Sequence, residues 1–296
     1  MCMLFLYLNP NPTPDGYLMI VANVRDEFYY RPTLPCHVWN QDPRIVGGMD
    51  IEEGRKGGTW FAISNTGRLA ALLNLMKPLS EMTEKKLNRG FLSVQCLQSP
   101  KDPLKYLQQL QNEAHNYYDF LMVTAEVSPS NGVHAYCYCN CSEKPPVVLG
   151  PGIHVFGNNR PDKKWKKTEY GEKVFHHVIS RNKTKDSLLK ELFAMLQDET
   201  LHYPDSQLEN DAAGVFPDAI NKLSSIFVKI PDSLFGSRTH SIVLVDAKGN
   251  VDFVESNMPD NGWITTGLED FSDPKYWLTS RIQFPIQDNS QFISKL

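Results

Sequence analysis

A cysteine at position 2, behind Met1 and ahead of the apolar run MLFLYL, is the first residue of this chain able to do covalent chemistry. Removal of Met1 leaves a thiol and a free α-amine on one residue. The amine, ordinarily of pKa about 7.7–8.0, is a fitting base for a thiol of about 8.5. Such a nucleophile needs a pinned terminus, which a strand through MLFLYL supplies, and donors for an oxyanion. Arg25, Asp26 and Glu27 end a second apolar stretch, YLMIVANV. Paired around the turn NPNPTPDG, the two stretches bring these charges near Cys2. The competing readings are a buried or acetylated cysteine without a role, and a solvated turn for the charged triplet.

Other reactive residues form weaker patterns. Cys137, Cys139 and Cys141 alternate in YCYCNC and share one face of a strand, as a soft-metal surface or as small apolar packing. Cys36 and His37 are adjacent, a weak pair for haem iron. His176 and His177 lack the i, i+4 spacing of a metal pair, and no C-x₂-C occurs, so no metal site is expected. Lys163, Lys164, Lys166 and Lys167 surround Trp165 in DKKWKK, the one dense basic run. It is either a solvated helix start or a receiver for an anionic ligand or a membrane surface.

The elements that must hold these residues follow from pattern. The hairpin at the start is followed by a second, TWFAIS–NTG–RLAALLNL, and a third, FLMVTAEV–SPSNG–VHAYCYCN. Helices are predicted at about 80–97, 103–117, 162–180 and 185–197, with Asp102 capping the second. Residues 198–221 read as a surface loop, and SSIFVKI, HSIVLVDA and VDFVES as strands. Hairpins, helices and more hairpins imply layered α+β architecture. Nothing in the 296 residues resembles a linker, so one domain over 1–296 is expected. Six cysteines are too few for a disulfide framework and point to a reducing, cytoplasmic setting. The apolar start is too short to span a membrane and lacks a leader's flanks, so Cys2 is expected to be retained. A net charge of −4 argues against nucleic acid.

The motifs MC plus an apolar strand, NVRDEFYYRPT, GGTWFAIS, GRLAALLN and RTHSIVLVDAKGNV occur in order through nearly the whole chain. Together they resemble the transport and Golgi organisation 2 (NRDE) family, itself similar to N-terminal nucleophile hydrolases. One departure stands in the signature: Val24 takes the place of its Asn, with Asn23 one position away. The resemblance implies a four-layer αββα sandwich, Cys2 as nucleophile, Arg25 and Asp26 orienting its thiol and amine, Asn74 and Asn158 (alternatively Asn159) at the oxyanion, and Arg238 nearby. It implies a carrier of haem or a hydrophobic metabolite, linked to Golgi, ER or mitochondria and in peripheral contact with membranes. Haem would then be cargo, with no cofactor needed for chemistry. The second reading is a cysteine amidohydrolase cleaving an acyl amide or thioester.

Overall fold

The apolar run behind Met1 forms β1 (Cys2–Leu8), paired antiparallel with β2 (Tyr17–Phe28) so that Cys2 lies opposite Arg25. The computed structural model describes residues 2–82, 85–181, 184–259 and 273–287. In the first sheet the order is β10 (Gly152–Phe156), β1, β2, β12 (Phe235–Asp246), β13 (Asn250–Asn257) and β14 (Leu278–Pro285), with β11 (Lys229–Ile230) also paired to β12. The second sheet runs β3 (Thr33–Val38), β4 (Ile45–Asp50), β5 (Phe61–Ser64), β6 (Arg68–Asn74), β7 (Phe120–Ser128), β8 (Gly132–Cys139) and β9 (Val147–Leu149). Every pairing in both sheets is antiparallel.

Alternation along the strands builds three apolar layers. On β2, Met19 and Val21 meet Phe61, Leu69 and Val123 of the second sheet. Ile20, Ala22 and Val24 turn the other way, onto α3 (Lys166–Ser180) and α4 (Lys185–Leu196). The far face of the second sheet packs on α1 (Gly90–Gln98) and α2 (Pro103–Glu113). Helices, sheet, sheet, helices is the αββα sandwich. Both faces of each sheet are covered, which is why its strands read as unbroken apolar runs.

Several boundaries differ from expectation. β2 continues through Arg25, Asp26 and Glu27, so the charged triplet is buried or half-buried strand, not its end or a solvated turn. The helix expected over 80–97 begins only at Gly90; Pro78 precedes a short 3₁₀ turn at Leu79–Glu81. Asp102 does cap α2, accepting from the Lys105 N–H at 2.9 Å. Within the expected loop, Asp205 caps a short α5 (Ser206–Asp211). SSIFVKI is largely non-strand, its apolar side chains filling a core without ladder partners. Cys137 and Cys139 face the inter-sheet core, but Cys141 lies beyond the end of β8, disulfide-bonded to Cys139.

One core residue carries a pH signature. His240 on β12 is fully buried between the rings of Phe227 and Trp277, 5.4 and 4.8 Å away. Neither ring nitrogen has a hydrogen-bond partner among the described residues, and burial drives its pKa down to about 3. The unfolded chain binds this proton below about 6.5 while the folded one does not. His240 thus contributes no penalty above that pH and costs about 1.4 kcal/mol per unit as pH falls toward 3. His240→Phe is expected to reduce the stability lost between pH 7.5 and 5, read from urea midpoints, by about 2 kcal/mol.

Candidate active site

The register that fixes β1 against β2 sets Cys2 beside Arg25 at the end of the inter-sheet core. The Cys2 N–H donates to Asn158 Oδ1 at 2.6 Å, and Asn158 Nδ2 donates to the Asn74 carbonyl at 2.6 Å. The Asn158 carbonyl in turn accepts from the Met76 N–H at 2.7 Å. Asn158 follows β10 in the first sheet and Asn74 ends β6 in the second, so one side chain ties both sheets at the nucleophile. Its amide is thereby engaged with main chain, which makes it a tether more than an oxyanion donor. Asn74 is exposed and lines the same cleft as Cys2, a space of about 100 Å³. Asn159 points elsewhere, accepting from Thr168 Oγ1 at 3.0 Å and donating to the Arg160 carbonyl.

Arg25 forms the inner wall. Its guanidinium carbon stands 3.9 Å from the centre of the Trp60 ring, and its nearest carboxylate, Glu27, is 4.0 Å away. Arg25 Nη1 has no hydrogen-bond partner among the described residues. Burial lowers the Arg25 pKa, but a guanidinium starts so high that it stays charged. A buried N–H without an acceptor is costly, so this donor is positioned for an oxyanion or carboxylate of a bound molecule. Although burial alone pushes Glu27 up, Arg25 and Arg31 outweigh it and hold the carboxylate below its usual range. Behind Arg25, Glu255 of β13 accepts from the Cys36 N–H, Ser241 Oγ and Asn257 Nδ2 at 2.6–2.7 Å. Burial raises its pKa, and the three converging donors and Arg25 pull against that rise without reversing it.

Burial pushes the Cys2 thiol above its ordinary pKa; the Asp26 N–H and Arg25 pull the other way without overcoming it. The thiol is therefore protonated at neutral pH and needs a base to become a nucleophile. Asp26 also lines the cleft, its charge opposing ionisation of the Cys2 thiol, and its carboxylate accepts from Ser237 Oγ at 2.6 Å. It shares a buried environment with Lys167.

That Lys167 belongs here corrects the reading of DKKWKK. Trp165 and Lys167 are buried, Lys164 pairs with Glu172 at 2.6 Å, and the Lys166 N–H is held by Asp205. The run leads into α3 with Trp165 and Lys167 folded against the core and Lys163, Lys164 and Lys166 exposed, as in a solvated helix start. Arg238 also departs from expectation: its Nη1 donates to the carbonyls of Phe28, Tyr29 and Arg31 at 2.6–3.1 Å. It locks the turn after β2 and does not line the Cys2 cleft. Cys36 is buried while His37 is half-buried and bonded to the Pro35 carbonyl, so the two do not converge on one iron. Sequence reasoning missed Trp60, Glu255 and Arg89, and named Lys167 only as part of the basic run. Arg89 also lines the cleft, donating to the Asp119 carbonyl at 2.6 Å, with its pKa lowered by burial to about 10. Of these, only Glu255, a carboxylate inside the apolar run VDFVES, left a sequence signal.

A family model described as Transport and Golgi organisation 2 matches residues 1–260. The chain belongs to that family. The match spans Cys2, Arg25, Asn74, Asn158 and Glu255. The chain is 33% identical over 290 residues to the Transport and Golgi organization protein 2 homolog of Bos taurus, covering 97% of this chain and 100% of that one. It is 30% identical over 285 residues to Transport and Golgi organization protein 2 of Drosophila melanogaster, covering 91% and 98%. Among solved structures it aligns with a Caenorhabditis elegans N-acylethanolamine-hydrolyzing acid amidase ortholog at a TM-score of 0.40 and 10% identity, over 82% of this chain and 92% of that one. Val24, the position that the resemblance sets against the family's signature Asn, is fully buried against the helix layer. Asn23, facing the other way, donates to the Met3 carbonyl at 2.9 Å and ties β2 to β1. No helix among the described residues is long and apolar enough to cross a membrane.

Proposed function

We propose that this chain is an N-terminal cysteine hydrolase acting on an acyl amide or thioester once Met1 is removed. The observation that carries the reading is the 2.6 Å bond from the Cys2 nitrogen to Asn158 in a cleft that also holds the unpartnered Arg25 Nη1. With Met1 gone, that nitrogen becomes an amine already oriented by Asn158. It takes the thiol proton, and the sulfur attacks the acyl carbon. Arg25 and the Asn74 amide face the developing oxyanion. The ammonium then returns its proton to the leaving amine or thiol, and water cleaves the acyl-cysteine by the same route in reverse.

The test is intact mass of the native protein, followed by incubation with N-acyl amides and acyl thioesters of graded chain length. A thioester adduct on Cys2, with turnover falling at least about 10³-fold in Cys2→Ala, is the expected result. A retained Met1, an acetylated Cys2, or unchanged turnover in Cys2→Ala sinks it.

The names of the relatives support a broader setting in transport and Golgi organisation, in which the same cleft carries haem or a hydrophobic metabolite. A Soret shift on titration with micromolar haem, abolished by Cys2→Ala, favours that carrier; a flat titration removes haem from consideration.

A further inference from the structure

The mouth of the Cys2 cleft is bordered by large apolar side chains that the fold leaves uncovered. Leu87 is 56% exposed and Phe91, in the first turn of α1, 41%. The rest of α1 behaves as an amphipathic helix should: Leu92, Val94, Cys96 and Leu97 are buried against the second sheet. Phe91 instead projects outwards and lines the cleft with Arg89. This rim is not a loose tail. The Leu87 N–H donates to the Asn116 carbonyl at 2.8 Å, and Arg89 is anchored on the Asp119 carbonyl. Main chain and guanidinium are held, and the apolar side chains are presented to solvent. Upstream, Leu79 and Met82 are also about half exposed, at 56% and 48%.

Charge sets the rim apart from the rest of the surface. Residues 85–91 read KKLNRGF, with three cations and no carboxylate, in a chain of net charge −4. Exposed Lys56 adds to the positive field from the neighbouring loop, whose Gly57 faces the Phe91 ring. The carboxylates nearby in sequence are Glu84, next to Lys85, then Glu81 and Glu53, the last two exposed, and Glu52, which is shared between Arg31 and Arg55. Exposed apolar side chains flanked by cations match the two layers of an anionic lipid surface: acyl chains below, phosphates above.

We propose that Leu87 and Phe91, with Lys85 and Lys86, dock the mouth of the cleft on an anionic bilayer. Leu87 and Phe91 enter the acyl boundary and the lysines meet the headgroup phosphates. The opening beside Arg89 then faces the interface, so an acyl compound passes from bilayer to cleft without crossing water. The inference rests on exposure and charge, and it holds whether the cleft hydrolyses or carries its ligand.

Flotation of the full chain with vesicles tests it. Wild type is expected to float with phosphatidylcholine vesicles containing about 30% phosphatidylserine and not with phosphatidylcholine alone. Leu87→Asp/Phe91→Asp is expected to reduce the bound fraction at least about 10-fold, and Lys85→Glu/Lys86→Glu to remove the preference for the anionic lipid. All four side chains are largely outside the core, so urea midpoints should stay at the wild-type value and report intact folding. Absence of wild-type binding overturns the proposal. So does undiminished binding by Leu87→Asp/Phe91→Asp, or loss of binding in Lys163→Glu/Lys164→Glu, which would move the contact to α3.

Discussion

Asn158→Ala should lose both stability and Cys2 reactivity. Two bonds of 2.6 Å leave this side chain, one to the Cys2 nitrogen and one to the Asn74 carbonyl, and Asn158 is 1% exposed. Truncation leaves a buried N–H and a buried carbonyl without partners, each costing about 1–3 kcal/mol. Urea unfolding should show a destabilisation of about 2–5 kcal/mol. Turnover of an acyl substrate, and alkylation of Cys2 by iodoacetamide, should fall by about 10²-fold or more, because a displacement of about 1 Å at the nucleophile is that costly. Asn158→Asp separates the roles. It keeps the oxygen that accepts from Cys2 and replaces the donor to Asn74 with a second oxygen facing a carbonyl. It should be destabilised comparably, with the Cys2 nitrogen still held. If Asn158→Ala reacts at Cys2 as wild type does, the tether has no part in positioning the nucleophile.

The nucleophile and its cross-strand arginine were legible because a hairpin is a local object: the register of MLFLYL against YLMIVANV follows from one turn, and it brings Arg25 to Cys2. The layered α+β class was legible for a similar reason, since unbroken apolar strands between amphipathic helices have few other solutions. What could not be read came from contacts across long sequence separations. Glu255 reaches Cys36 across 219 residues, and Asn158 reaches Cys2 across 156. No periodicity encodes either. Arg238 was misplaced for another reason. The motif GSRTHS resembles the family's late arginine, but the bulge between Ser237 and Thr239 in the β2–β12 ladder occurs at its position, and its guanidinium serves three carbonyls of the turn after β2. The basic run misled because Lys163, Lys164, Lys166 and Lys167 look alike in composition, while helix geometry turns only Lys167 inward.

Lys167→Met should be among the most destabilising single substitutions in this protein. The side chain is 1% exposed, its ammonium donates to the Ser225 carbonyl at 3.1 Å, and Asp26 and Asp205 supply its counter-charge. Burial lowers its pKa to about 8, so near neutral pH it is predominantly an ammonium, whose removal takes away a cation that offsets the burial of Asp26. Removing one member of a buried charge pairing that acts through space, without a direct salt bridge, together with the Ser225 hydrogen bond, costs about 3 kcal/mol. Asp26→Asn breaks the pairing from the other side while preserving an acceptor for Ser237 Oγ. If the two charges stabilise one another, Asp26→Asn/Lys167→Met is destabilised by less than the sum of the single variants, by about 1 kcal/mol or more, with Asp205 limiting the coupling. Additivity within about 0.5 kcal/mol would show that the two do not interact. Because Asp26 lines the cleft with Cys2, the same cycle read through iodoacetamide alkylation of Cys2 distinguishes the two uses of the pair. Loss of stability with an unchanged alkylation rate at matched folded fraction assigns Lys167 to the core alone. A changed rate in both single variants, restored in the double, assigns the pair to the nucleophile.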